Sequence, residues 1–178
     1  MPVFGRSYQP FIAVEGLYLI FLFAYVVRWF EVGPARVRRA LLAALSAGIV
    51  NIGLDVIAHH YGWWRYPEAT TPFGPLVYYA EAGVGFALLA LVYWRLSERL
   101  QQAALPVMVG AICVYGPMRD HVTDHLIGLI EFRAGAGVVI ADALVEWVTP
   151  FLIAVAVTGR APTALAPRVR GDHASPAG

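Results

Sequence analysis

Acids and histidines recur inside the apolar stretches of this chain, at spacings that put them on shared faces. Glu15, Asp55, Glu81, Asp120, Asp124, Asp142 and Glu146 all fall within hydrophobic runs. Asp55 and His59 stand four apart, as do Asp120 and Asp124, His121 and His125, and Asp142 and Glu146. On a helix that separation brings side chains to one face. Asn51 carries the stripe of Asp55 one turn further. A carboxyl held in a low-dielectric environment favours its protonated form, and a protonated carboxyl is a general acid. Such an acid suits protonation of an apolar alkene or epoxide better than it suits aqueous hydrolysis.

Aromatic residues supply a second ingredient. Tyr61, Trp63, Trp64 and Tyr66 are followed by Tyr78 and Tyr79 just before Glu81, and Trp147 directly follows Glu146. Aromatic faces stabilise cations by ~0.5–2 kcal/mol each, which is what a carbocation on an isoprenoid needs. Membrane interfaces also gather Trp and Tyr for solvation reasons alone, so Tyr78 and Trp147, beside acids, are the stronger candidates. A third ingredient is metal-competent: His59, His60, His121, Asp124 and His125 are ligand types for zinc or iron. Hydrogen bonding to neighbouring acids would account for the same histidines. The pair Asp120-x-x-x-Asp124 has neither the second acid-rich motif nor the basic residues expected of a Mg²⁺–diphosphate site. No Gly-rich phosphate loop and no Gly-x-Ser-x-Gly nucleophile elbow occurs. Arg119 must be neutralised, and one or two of Asp120, Asp124 and Asp142 would do only that. Asp55 and Glu81 are expected to have no Arg or Lys at their depth on neighbouring stretches.

The elements that position these groups are helices in a membrane. The chain has 178 residues, 59% hydrophobic and 14% charged, with a mean hydropathy of +0.63, the composition of a membrane protein. Five stretches, 10–30, 39–61, 75–95, 104–130 and 136–158, reach the ~20 residues a span needs. The expected fold is an all-α bundle of five transmembrane helices over residues 1–159, followed by a disordered tail, 160–178. Counted from helix ends at ~1.5 Å per residue, the acids lie roughly 7–15 Å deep in one layer. Ionisable groups at such depth usually face a bundle interior or a wet cavity.

Apart from histidine, every basic residue is Arg. Arg28, Arg36, Arg38 and Arg39 flank the first connection, Arg95 and Arg99 the third, and Arg160, Arg168 and Arg170 follow the last span. The other side carries Arg6, Arg65 and Arg133. The positive-inside rule then predicts a bacterial-type inner or plasma membrane protein with its N-terminus outside and its C-terminus in the cytoplasm. A net charge of +1 argues against nucleic acid. The lone Cys113 excludes an internal disulfide. The first stretch has no basic n-region and contains Glu15, so it reads as a retained helix rather than a signal peptide.

A shift of about 65 residues aligns the second and third helices with the fourth and fifth. Asp55 then meets Asp120, His60 meets His125, Glu81 meets Glu146, and Arg95 meets Arg160, with His59 opposite Asp124. These matches predict two related hairpins, chance being the alternative because overall identity in this register is low.

At the second hairpin, Asp55, then Gly62-Trp63-Trp64-Arg65-Tyr66, then Gly74-Pro75 leading to Glu81 extend over about 40 residues. This stretch resembles the small integral-membrane carotenoid and terpenoid cyclases of the lycopene-cyclase domain type. Where that family has paired glutamates after proline, this chain reads Pro75-Leu76-Val77-Tyr78-Tyr79-Ala80-Glu81. The resemblance implies proton-initiated cyclisation of an isoprenoid without a redox cofactor, with Glu81 as the counterpart of the family's acidic helix.

The expectation is therefore a membrane terpenoid or carotenoid cyclase or isomerase without a cofactor. Glu81 or Asp55 would protonate the substrate, and Glu146 and Asp120 would act as acid partner or base. Trp64, Tyr78, Tyr79, Trp147, Glu15 and Asp142 would surround an apolar isoprenoid drawn from membrane lipid. Two alternatives stand beside it: a metal-dependent lipid hydrolase or oxygenase using a divalent metal on His59, His60, His121, Asp124 and His125, and a proton-coupled carrier or sensor. Homo-oligomerisation is left open; a carrier would need it.

Overall fold

The computed structural model describes residues 9–67, 75–128, 130–133 and 135–159, and at Gln9 and 123–127 it describes the backbone alone. The tail 160–178, the stretch 68–74 and the side chains of Asp124 and His125 lie outside the described residues. What is described is almost wholly helical. Helix α1 spans Gln9–Trp29 and α2 spans Pro34–Tyr61. Helix α3 runs Leu76–Leu100, a 3₁₀ turn covers Gln101–Ala103, and α4 follows at Ala104–Ile127. The last helical run consists of α5 (Ala136–Ala141), a π-helical segment (Asp142–Val148) and α6 (Thr149–Thr158). Two short strands, β1 (Trp64–Arg65) and β2 (Glu131–Phe132), pair antiparallel with Trp64 opposite Phe132.

Among the described residues, four helical stretches are long and apolar enough to cross a membrane: Pro10–Trp29, Pro34–Tyr61, Leu76–Val122 and Ala136–Thr158. The sequence predicts five. The difference lies in the third stretch, 47 residues long, which joins the predicted third and fourth spans through the 3₁₀ turn. Gln101, at φ 50°, breaks the helical direction there. Arg119, late in α4, comes back to Glu81, early in α3, so α3 and α4 lie antiparallel. Helix α3 also runs beyond its predicted end at 95, and α4 ends at Ile127 rather than 130.

Helix α2 buries a stripe of small residues, Ala40, Ala43, Ala47, Gly48 and Ala58, together with Asn51 and Asp55. Small side chains let backbones approach closely. A Cβ on Gly48 would lie 2.7 Å from the Tyr79 carbonyl oxygen, and one on Gly83 would overlap that of Ala44. Helices α2 and α3 therefore meet backbone to backbone, and α6 packs against both. Gly85, two residues on from Gly83, meets only Leu19 Cδ1, at 3.9 Å. Helix α1 is peripheral: its main neighbour is α3, and Val14, Leu17, Phe21 and Trp29 face outward.

The π segment has a local cause. Pro150 has no N–H to bond the Glu146 carbonyl, and its ring crowds that turn. The Thr149 N–H and hydroxyl both reach back to the Leu144 carbonyl instead, five residues earlier. The widened turn carries Asp142, Glu146 and Trp147, and π segments recur at functional sites.

Candidate active site

Two polar networks occupy the end of the bundle nearest the β1–β2 ladder. The first centres on Asp55, which is 1% exposed. Its Oδ1 accepts a hydrogen bond from Trp64 Nε1 at 2.7 Å, and its Oδ2 accepts one from the Tyr66 hydroxyl at 2.7 Å. The Tyr79 hydroxyl also donates to Oδ2. The ladder holds Trp64 in place, and Tyr66 and Tyr78 meet edge to face. Desolvation pushes the Tyr66 phenol well above the ordinary tyrosine range, with the charges of Tyr78 and Asp55 adding to it. The expected pairing of Asp55 with His59 does not form: Asp55 points inward, while His59 and His60 are exposed where α2 emerges.

The second network centres on Arg119. Its Nη2 donates to Glu15 Oε1 at 2.6 Å and its Nη1 to Asp120 Oδ1 at 2.8 Å. Glu81 Oε1 stands 3.7 Å away. Arg119 is thus shared by acids from α1, α3 and α4. This corrects the expectation that Glu81 has no basic residue at its depth, and adds Glu15 to the neutralising set. Helix α4 continues as a buried wall through this region, Asp120 being 1% exposed.

Trp147 joins the second network to the π segment. Its Nε1 donates to Asp120 Oδ2 at 2.5 Å. Its ring meets Phe86 at 5.6 Å and Tyr115 at 5.7 Å, both edge to face. It lies directly on Gly116, where any Cβ would overlap the indole. Glu146, 4% exposed, accepts a hydrogen bond from Asn51 Nδ2 at 3.2 Å. Asp142 is fully buried beside Asp120, with His121 Nδ1 4.0 Å from its Oδ2. That His121 nitrogen donates to the Pro117 carbonyl, and the ring stacks on Phe132.

Between these groups lies a cavity of about 260 Å³. Helix α1 contributes Glu15, Tyr18, Leu19 and Leu22 to its wall, and α4 contributes Tyr115 and Arg119. Helix α3 contributes Tyr78, Glu81, Gly85 and Phe86, and Asn51, Glu146 and Trp147 complete the polar and aromatic lining. Of the groups lining it, Glu81 Oε2, Glu146 Oε2 and Asn51 Oδ1 are buried without a hydrogen-bond partner among the described residues, as are both oxygens of Asp142 beyond it.

Of the residues singled out in the sequence, Glu15, Tyr78, Glu81, Glu146 and Trp147 meet in this cavity. Asp55, Trp64 and Tyr79 form the adjoining anchor network, and Asp120 and Asp142 stand behind the cavity wall. Tyr18, Phe86, Tyr115 and Arg119 are lining residues that sequence reasoning did not assign. For Arg119 a signal existed, since a single guanidinium among so many buried acids has to sit among them. Among the described residues, no three His, Cys, Asp or Glu converge as metal ligands. Asp124 and His125, two members of the expected metal set, fall outside the described side chains.

The chain matches no protein-family model, no curated protein and no solved structure.

Proposed function

We infer that the chain is an integral-membrane enzyme that cyclises an isoprenoid by proton transfer, with no redox step. One observation carries this reading: carboxyls and aromatic rings from four different helical elements meet in one largely apolar cavity. In the proposed topology the 76–122 stretch crosses the bilayer twice, giving five spans, with the N-terminus and the ladder end outside.

In the proposed reaction, Glu81 donates its proton to a terminal alkene carbon of the substrate, or to an epoxide oxygen. One guanidinium, that of Arg119, faces three carboxyls, Glu15, Asp120 and Glu81. Glu81 has the longest contact to Arg119 and an unpartnered oxygen, which makes it the donor. The tertiary cation left on the substrate is attacked by a second alkene of the same chain, forming the ring bond. Tyr78, Phe86, Tyr115 and Trp147 present π faces or edges around that path, at ~0.5–2 kcal/mol per favourable face. Glu146, oriented by Asn51, removes a proton from the ring cation and leaves a new alkene. The product is an isomer of the substrate. Proton transfer from Glu146 back to Glu81 restores the enzyme.

The test is mass spectrometry of lipid extracts from an isoprenoid-rich host expressing the chain or its Glu81→Gln variant. The expected result is a new compound isobaric with a host isoprenoid, absent in the variant while the variant remains folded. Full product from Glu81→Gln would overturn the assignment.

A further inference from the structure

The cavity that holds Glu81 is not sealed by protein on all sides. Helices α1 and α4 both lean on α3, and the slot between them forms the cavity's side. Tyr18 of α1 and Tyr115 of α4 both line the cavity and are 61% and 52% exposed, which assigns them to its rims. Beyond the rims, the outer faces are hydrocarbon: Val14, Leu17 and Phe21 on one side, Val114 and Met118 on the other. Tyr18 lies eight residues into the apolar stretch that begins at Pro10. At ~1.5 Å per residue that places the mouth about 12 Å from the helix end, well within a hydrocarbon core ~30 Å thick. With α1 spanning a bilayer, an opening at that depth would border lipid tails rather than water.

The size of the cavity points the same way. Sites that enclose a drug-sized ligand run to roughly 300–1,000 Å³, and this one holds about 260 Å³. A space of that size would hold the reacting end of a long isoprenoid and leave the remainder of the chain outside. A chain whose tail stays in the bilayer must enter sideways. Across the slot, the ion pair that α1 and α4 share is Glu15 with Arg119 at 2.6 Å, next to Glu81.

We propose that the slot between α1 and α4 is a lateral portal through which an isoprenoid chain slides from the bilayer, reacting end first, towards Glu81 and Trp147. The Glu15–Arg119 pair ties the two walls at the head of the slot. This proposal rests on the cyclase reading for the identity of the chain, and on the cavity's shape for the route.

The test uses the full-length protein in liposomes with a saturated, branched C20 hydrocarbon carrying a terminal diazirine. After irradiation, labelled peptides are mapped by mass spectrometry. The expected result is label on the Glu146–Trp147 segment as well as on the outward faces at Phe21 and Val114. Gly85→Phe should fill the slot, since a side chain there starts beside Leu19 with room to extend. It should abolish the interior label and keep the outward one. A second closure does not depend on that variant folding: Tyr18→Cys with Tyr115→Cys, in a Cys113→Ala background, bridged by a short bis-maleimide. Interior label that persists with the slot blocked overturns the portal, as does outward label with none inside the unblocked protein. Isomer formation from an unmodified isoprenoid is read separately. Interior labelling without any isomer upholds the portal and removes the cyclase reading. Isomer formed with the slot bridged shut overturns the portal and upholds the cyclase.

Discussion

Asp55 is expected to behave as an anchor of the fold, and its substitutions should separate that role from catalysis. Three donors converge on its carboxylate, from Trp64, Tyr66 and Tyr79, and none of the three residues is more than 7% exposed. Asp55→Ala removes the acceptor and strands at least the Trp64 indole and the Tyr66 phenol. A buried donor left unsatisfied costs ~1–3 kcal/mol, so two of them cost ~2–6 kcal/mol in total. Some relaxation or water entry at the vacated site places the expectation near ~3–4 kcal/mol. For a chain of this length each kcal/mol moves the midpoint by ~2–4 °C, which gives a fall in Tm of roughly 6–16 °C. Asp55→Asn should be far milder. Its amide oxygen faces Trp64, an obligate donor, while its NH₂ donates to hydroxyls that also accept, so a loss of ~1–2 kcal/mol is expected. Tyr66→Phe alone should cost about 1 kcal/mol. In the Asp55→Ala background the same change should be neutral or stabilising, because it removes an orphaned hydroxyl. Thermal unfolding in detergent micelles, followed by tryptophan fluorescence, reads all four proteins. An Asp55→Ala protein melting within two degrees of wild type would refute the anchor. So would an Asp55→Asn protein that is fully stable yet inactive, since Asp55 would then be a reacting acid.

Other consequences follow from the same contacts. Gly116→Leu must drive the Trp147 indole off Asp120 and out of the cavity wall, so turnover should be lost and overpacking should cost ~1–3 kcal/mol. Gly110→Leu, where a Cβ meets nothing within 4 Å, is the control and should melt as wild type does. Arg119→Met leaves Glu15, Glu81 and Asp120 without their cation and should destabilise by ~3–5 kcal/mol. Adding Glu15→Gln should recover part of that; no recovery in a denaturation series would show that the charge cluster is not the cause. Tyr66 predicts alkaline behaviour. Its folded pKa is raised above the unfolded value of ~10, so its contribution is fully present below pH 10 and lost as pH rises towards the folded pKa. In that window stability should fall by up to ~1.4 kcal/mol per pH unit on account of this group. Tyr66→Phe should flatten the pH dependence of Tm above pH 10, and an unchanged slope would contradict it.

The helices were legible because an apolar run longer than the bilayer is thick is a property of the sequence alone. Their ends were not. The predicted third span stops at 95, where Arg95, Glu98 and Arg99 begin, but those residues are good helix formers, and α3 continues to Leu100. Hydropathy locates the edge of the oil, not the end of the helix. The same error hid the partner of Glu81. With α4 drawn to 130, Arg119 falls deeper than Glu81. Ending α4 at Ile127, with a long side chain able to reach along the helix, brings the two within 3.7 Å. The π segment that carries Asp142, Glu146 and Trp147 has Pro150 as its sequence trace; a reading at 3.6 residues per turn puts Asp142 and Glu146 on one face, whereas Glu146 lines the cavity and Asp142 does not.

The shift of about 65 residues sorts the acids by what they do. Asp55 and Asp120, matched by that shift, each accept an indole N–H, from Trp64 and from Trp147. Glu81 and Glu146, matched by the same shift, each line the cavity and each keep one oxygen unpartnered among the described residues. The loops that follow the two aspartate helices pair with each other as β1 and β2. A carboxylate already committed to an indole and further donors is a poor proton carrier, because giving or taking a proton disrupts bonds the fold needs. A carboxyl with a bare oxygen beside a cavity has no such constraint. The physical division is therefore between Asp55 and Asp120, which tie helices to tryptophans, and Glu81 and Glu146, which reach the cavity. It places the proposed proton transfers on Glu81 and Glu146 rather than on Asp55 and Asp120.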